Sequence, residues 1–225
     1  MAQAKKVVPF VQSDVPAHLS GKGALGNENV SAEDQAIPRL TLLQKLSPQL
    51  DESAAEFVDG AKAGQYFNSL TNIASDGLYV VNLMYRRTVA VFKKRAAGGG
   101  FAGNFASKQE ALDDLAENGN DPSMYDFSDT GNHYLLLLDA DGKPTTPVIF
   151  SMAGSKLRVS NTWNSKIAAA AEDMPRFATV WKLTAVSQSN AKGSWHNTAV
   201  DYMGFAAEDL FEVASEYYAQ FQNEA

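Results

Sequence analysis

Leu78 to Lys93 is the stretch that most restricts what this chain can fold into. Tyr79, Val81, Leu83, Tyr85, Val89 and Val91 fall at alternating positions, interrupted by Arg87, and a period of two residues belongs to a half-buried strand. At about 16 residues the run is long for one flat strand. It predicts either one strongly bent strand or two strands joined by a bulge. Small sheets need such bends in order to close into barrels.

The other segments are consistent with that sheet. Tyr134–Leu138 and Pro147–Met152 are apolar runs joined by Asp139-Ala140-Asp141-Gly142, a hairpin signature. Phe177–Val186 and Trp195–Met203 predict a second hairpin about Ser187–Gly193. Between the hairpins, Ser155–Ala171 has a helical pattern with Leu157, Trp163 and Ile167 facing inward. Ser107-Lys108-Gln109-Glu110 fits a capping box that starts a short acidic helix. Ser31-Ala32-Glu33-Asp34 reads as another helix start, cut short by Pro38. Leu40, Leu42, Leu43 and Leu46 form an apolar stripe, Ala96–Phe105 a glycine-rich loop, and Asn118–Gly131 a polar, turn-rich connection. Ala206–Phe221 is amphipathic, with Leu210, Phe211, Ala214, Tyr217, Tyr218 and Phe221 at helical spacing. Because strands and helices do not alternate regularly, a doubly wound sheet is disfavoured. The expected fold is mainly β (α+β), an OB-like small Greek-key barrel with inserted and flanking helices. Its expected division is a flexible arm over 1–30, the barrel domain over 31–205 and an acidic amphipathic segment over 206–225.

The net charge of −7 argues against a nucleic-acid partner when taken alone, but the charges are segregated. Gly77–Gln109 has no acid and carries Arg86, Arg87, Lys93, Lys94, Arg95 and Lys108. Gly142–Ala171 has no acid and carries Lys143, Lys156, Arg158 and Lys166, while the acid-free Met174–Val200 carries Arg176, Lys182 and Lys192. A ligand responds to the local field rather than to the sum.

Five cations within ten residues, Arg86 to Arg95, are interleaved with Tyr85 and Phe92. Cations that neutralise phosphates beside rings that stack on unpaired bases are what holds a single strand. The competing reading is a solvated strand end whose rings lie in the core. Gly98-Gly99-Gly100-Phe101-Ala102-Gly103 matches G-x-G-x-x-G, but no βαβ unit surrounds it. A loop closing over a strand, with Phe101 and Phe105 as stacking groups, fits better than a dinucleotide site, and a plain connection is the third option. Trp181 and Trp195 on the second hairpin are either stacking rings or core. Lys192 sits at that hairpin's tip.

Catalytic and metal-binding patterns are thin. His18, His133 and His196 are far apart and show no ligand spacing. Asp139-x-Asp141-Gly142 opens like a calcium loop but lacks the glutamate at its twelfth position. No Walker A or G-x-S-x-G motif is present. The expectation is no catalytic residue, no metal and no cofactor. The absence of cysteine excludes a disulfide framework and fits a reducing compartment. Only Val7–Val11 follows Lys5 and Lys6, which is too short for a signal-peptide core. No run approaches the roughly 20 apolar residues that cross a bilayer. No membrane association and a cytoplasmic location are expected.

Ala36-Ile37-Pro38-Arg39-Leu40-x-Leu42-Leu43-Gln44, Arg95-x-x-Gly98-Gly99-Gly100-Phe101, Trp181-Lys182-Leu183-Thr184 and Ser189-Asn190-x-Lys192-Gly193-Ser194-Trp195 together resemble bacteriophage single-stranded-DNA-binding proteins of the OB-fold type, across roughly residues 31–205. The resemblance implies a barrel that coats exposed strands in phage replication and recombination, in the host cell cytoplasm, and an acidic C-terminal region that recruits replication proteins. The end of this chain, Gln222-Asn223-Glu224-Ala225, departs from the dense acidic run of such proteins. The expected activity is sequence-independent binding of single-stranded DNA, with RNA and a homo-oligomer as open options. Tyr85, Arg86, Arg87, Phe92, Lys93, Lys94, Arg95, Phe101, Phe105, Lys156, Arg158, Trp181, Lys192 and Trp195 are the candidate contacts. Neutralising about six phosphates predicts a log–log salt slope near −4. The alternatives are a virion structural or interaction protein without nucleic-acid binding, and a nucleotide-dependent enzyme using the glycine loop.

Overall fold

The long alternating run is one strand, β4 (Gly77–Lys93), and the sheet is built around it. The computed structural model describes residues 26, 28, 29, 36–191 and 193–223. The Ser31 helix start, nearly all of the 1–30 arm and Lys192 lie outside the described residues. The other strands are β1 (Arg39–Leu42), β2 (Tyr66–Asn68), β3 (Ile73–Ser75), β5 (Phe101–Phe105), β6 (Tyr125–Leu138), β7 (Pro144–Ala153), β8 (Thr179–Asn190) and β9 (Gly193–Phe205). Three helices join them: α1 (Lys108–Glu117), α2 (Ser155–Ala170) and α3 (Glu208–Asn223). The sheet order is β3-β2-β1-β7-β6-β4-β8-β9, with β5 paired to β4. Every pairing is antiparallel except β1 with β7.

β4 changes partners along its length. One edge pairs with β6 from Tyr79 to Lys93, while the other pairs with β8 over Gly77–Val81 and with β5 over Val89–Phe92. The register against β6 shifts between Asn82 and Met84. This is the expected bend, and the extra residue lets Val80, Val81, Asn82 and Leu83 all be buried in succession. The sheet curls into a barrel-like, mainly β fold. Its two flanks are joined by the Gln44 side chain: the amide Nε2 donates to the His196 carbonyl at 3.0 Å and Oε1 accepts from the His196 N–H at 2.9 Å. Farther along, the Tyr66 hydroxyl donates to Thr198 Oγ1 at 3.2 Å.

Three apolar clusters hold the fold, each buried side chain contributing about 1.5–3 kcal/mol. Inside the curl, Leu40, Leu42, Val80, Leu135, Phe150, Trp181 and Leu183 pack against Trp163 and Ile167 of α2. On the opposite face, Val81, Leu83, Leu136 and Leu138 receive Leu210, Ala214 and Phe221 of α3. At the far end, Val89, Val91 and Tyr125 pack on Ala111 and Leu115 of α1. Ser107 caps α1 as expected, accepting from the Glu110 N–H at Oγ, while Glu110 Oε2 accepts from the Ala106 N–H, one residue before the reciprocal partner of a capping box.

Three sequence expectations change. Leu40 and Leu42 lie on a short strand, and Leu46, read as part of their stripe, is 96% exposed because the chain has by then turned away from the sheet. The second half of the glycine-rich loop is β5. Much of the polar connection before Tyr134 is the first half of β6, a strand that β4 pairs along its whole length, with Asp126 and Asp129 exposed and Thr130 buried.

Candidate nucleic-acid interface

Past the bulge, alternate residues of β4 and β6 bring a polar groove to the surface. Phe92 pairs with Phe101 across the β4–β5 ladder, where the register slips after Val91. The two rings stand 5.6 Å apart at 59° and are 44% and 61% exposed. The connection between them turns through Gly98, Gly99 and Gly100, all with positive φ, a conformation costly for any residue with a Cβ. It closes with the Lys93 N–H donating to the Gly100 carbonyl at 2.8 Å.

Beside the rings lies a cleft of about 350 Å³. Ser128, Thr130 and Asn132 alternate along its β6 floor, with Ser151 on one side and Asn104 on the other. Asn132 is fixed by two neighbours: its Nδ2 donates to Thr88 Oγ1 at 2.8 Å, and its Oδ1 accepts from Ser151 Oγ at 2.7 Å. Arg39 of β1 lines the far wall. Among the described residues no carboxylate lines this groove. Lys93, Lys94 and Arg95 are exposed where β4 ends beyond Phe92. Lys94 Nζ donates to the Ser123 carbonyl at 2.8 Å and lies 4.0 Å from Asp126. Rings for stacking, neutral hydrogen-bonding groups and cations for phosphate therefore meet at one end of the sheet.

The remaining candidates do not extend this groove into one cationic trough. Trp181, expected among the stacking rings, is a correction: at 0% exposure it packs edge-on to Trp163 in the barrel core, and no base can reach it. Arg86 donates to the Phe221 carbonyl at 3.2 Å and lies over the Tyr134 ring, so it holds the end of α3. Arg87 is spent on Asp129, 3.2 Å away. Tyr85 packs against His133, and Phe105 turns inward to the α1 cluster. The Lys156 amine lies against the Phe150 ring, where burial pulls its pKa down. Arg158 opens into a separate cleft between α2 and β9. Trp195 is half-buried near the β8–β9 turn.

Sequence reasoning missed Arg39 and the polar floor. The Ser128-x-Thr130-x-Asn132 alternation was the available signal, hidden in a segment rich in turn formers.

A second polar constellation has an enclosed centre at His133, Asn82 and Ser160. The neutral His133 ring takes a hydrogen bond at Nδ1 from Asn82 Nδ2 (2.9 Å) and gives one from Nε2 to Ser160 Oγ (2.7 Å). Arg176 Nε donates to Asn82 Oδ1 at 2.8 Å, and its Nη2 donates to Asn164 Oδ1 at 2.6 Å. Burial, and then the nearby Arg176 charge, push the His133 pKa down to about 3. Ser160, His133 and Asn82 are linked like a nucleophile, base and orienting group. All three have no exposed surface, so substrate cannot meet Ser160 in this conformation. Among the described residues, no three His, Asp or Glu side chains gather as a metal site, and Asp139 instead caps its own turn, its Oδ1 accepting from the Asp141 and Lys143 N–H groups.

Among the described residues no helix is long and apolar enough to cross a membrane. No curated protein and no solved structure matches the chain. A family described as Pam3 phage gp34-like protein matches residues 4–225. The chain therefore belongs to the Pam3 phage gp34-like family of phage proteins.

Proposed function

We propose that this protein binds single-stranded DNA, largely without regard to sequence, during phage DNA replication or recombination in the host cytoplasm. The supporting observation is the exposed Phe92–Phe101 pair beside a carboxylate-free groove, with Lys93, Lys94 and Arg95 at its end and Arg39 on its wall. Two neighbouring rings suit consecutive bases, each stack contributing about 1–3 kcal/mol. The barrel-like fold and the phage family are compatible with the reading. With four cations rather than six at the groove, the expected log–log salt slope is about −3. Electrophoretic shifts of labelled oligo-dT at two salt concentrations test it. Phe92→Ala/Phe101→Ala is expected to weaken binding by tenfold or more, and Lys93→Ala/Lys94→Ala/Arg95→Ala to flatten the salt dependence. Absence of any shift at low salt refutes the proposal.

One observation favours the structural or interaction alternative. β9 is an edge strand, and Tyr202, Met203 and Phe205 are exposed on it. Edge strands with apolar side chains are pairing surfaces. Self-association in sedimentation without any strand binding would favour that role.

A further inference from the structure

Apart from the groove, the fold contains a cation with no counter-charge. Arg176 follows α2 in a single 3-10 turn, Arg176–Ala178, and its side chain enters the protein beside β4. Its partners are all neutral: Asn82, Asn164, and His133 Nδ1 at 3.4 Å. Among the described residues it forms no ion pair, and none accepts a hydrogen bond from its Nη1. Its guanidinium lies 5.6 Å above the Tyr85 ring. Burial lowers its pKa to about 10, so it stays charged at neutral pH.

Arg176 also lines an open cleft of about 580 Å³ between β4 and α3, whose other walls include Met84, Tyr85, Phe177 and Tyr218. That volume is typical for a small-molecule site, and mostly apolar walls with one convergent polar group are the usual composition. Arg176 is the one charged residue lining it among those described. A half-buried cation whose partners are all neutral still favours an anion, because an ionised acceptor adds charge attraction to the hydrogen bond. A single positive charge suits a single negative charge, and three aromatic rings in the lining suit a flat apolar body. We propose that the Arg176 cleft binds a monoanionic small molecule, a carboxylate carried on an aromatic body, with its carboxylate accepting from Nη1 in the plane of the guanidinium.

The test uses the full-length protein and phenylacetate as probe, with uncharged phenylacetamide as control, observed by ligand saturation-transfer NMR and by thermal shift. Phenylacetate is expected to bind and to raise Tm, and phenylacetamide to do neither. Arg176→Lys, which keeps the charge but loses the planar fork, is expected to bind about tenfold more weakly. Because Arg176 also holds Asn82 and Asn164, a second variant is needed. Met84→Trp narrows the cleft at a lining residue that makes none of the Arg176 hydrogen bonds, and is expected to abolish binding while leaving the circular dichroism spectrum unchanged. Three results each overturn the proposal: no saturation transfer to phenylacetate, equal binding of acid and amide, or undiminished binding by a folded Met84→Trp protein.

Discussion

His133 should make this protein acid-sensitive well above the pH at which carboxylates titrate. In the folded state its ring is enclosed by Trp163 at 4.5 Å and Tyr85 at 5.0 Å, with both nitrogens committed. Its pKa there is about 3, against about 6.5 in the unfolded chain. Below 6.5 the unfolded state therefore binds the extra proton, so this contribution to stability is complete at higher pH. It is lost as pH falls from 6.5 toward 3. Between pH 7 and pH 5 the loss comes to about 2 kcal/mol, approaching 1.4 kcal/mol per pH unit at the lower end. Most carboxylates remain ionised over this window. Urea denaturation at pH 7 and pH 5, on the wild type and on His133→Gln, isolates the effect, because the remaining histidines are common to both proteins. The wild type should lose about 2 kcal/mol more than the variant. In parallel, the His133 ring-proton shift should stay flat by NMR from pH 7.5 to about 4.5. Equal losses in the two proteins, or a ring that titrates near 6, would falsify the assignment of a neutral, enclosed imidazole.

Five further outcomes are expected. A Cβ at Gly131 would collide with Ser160 Oγ and press the Tyr85 ring, so Gly131→Ala should cost about 1–3 kcal/mol in a urea titration. Ser160→Ala, which strands the His133 Nε2–H, should cost a similar amount alone. Because the second change removes the atom the first one strikes, the double variant should cost clearly less than the sum, and strict additivity would refute the contact. Gln44→Ala opens the seam at His196 and should lower stability by about 1–2 kcal/mol, with faster amide exchange at His196 than elsewhere on β9. Trp181→Ala should cost about 3–5 kcal/mol, whereas Phe101→Ala should stay within about 0.5 kcal/mol of wild type while losing oligonucleotide affinity. Reversal of that pattern would mean that core ring and surface ring have been exchanged.

The parts of the fold legible in the sequence were those governed by local periodicity. The bent strand at 77–93, the Asp139–Gly142 hairpin, helix α2 and the apolar face of α3 follow from spacing alone. β5 and the first half of β6 did not, because glycines and small polar residues carry little strand preference of their own. They are strands because β4 supplies a partner for their backbone groups, and pairing of that kind is invisible in a single segment. The candidate site was legible in part for the same reason. Phe92, Phe101 and the 93–95 cations are local neighbours and stay together. Arg86, Arg87, Lys156, Arg158 and Trp181 were grouped by composition, and the bulge and the packing of α2 and α3 send the cations to different places and Trp181 into the core. Arg39 reaches the groove only through the parallel pairing of β1 with β7, across more than a hundred residues of chain.

The exchange of partners along β4 leaves residues 82–88 between the end of β8 pairing and the start of β5 pairing, laddered on one side only, to β6. Mechanically this interval is a neck. Behind it β6 is itself laddered to β7 from Thr130 to Leu138, so the extension that carries Phe92 and Phe101 leaves the barrel through β4, β6 and β7. In the proposed role bound nucleic acid would lie on this extension, and at its base β4 and β6 are tied by the Asn82–His133 hydrogen bond, with Arg176 on Asn82.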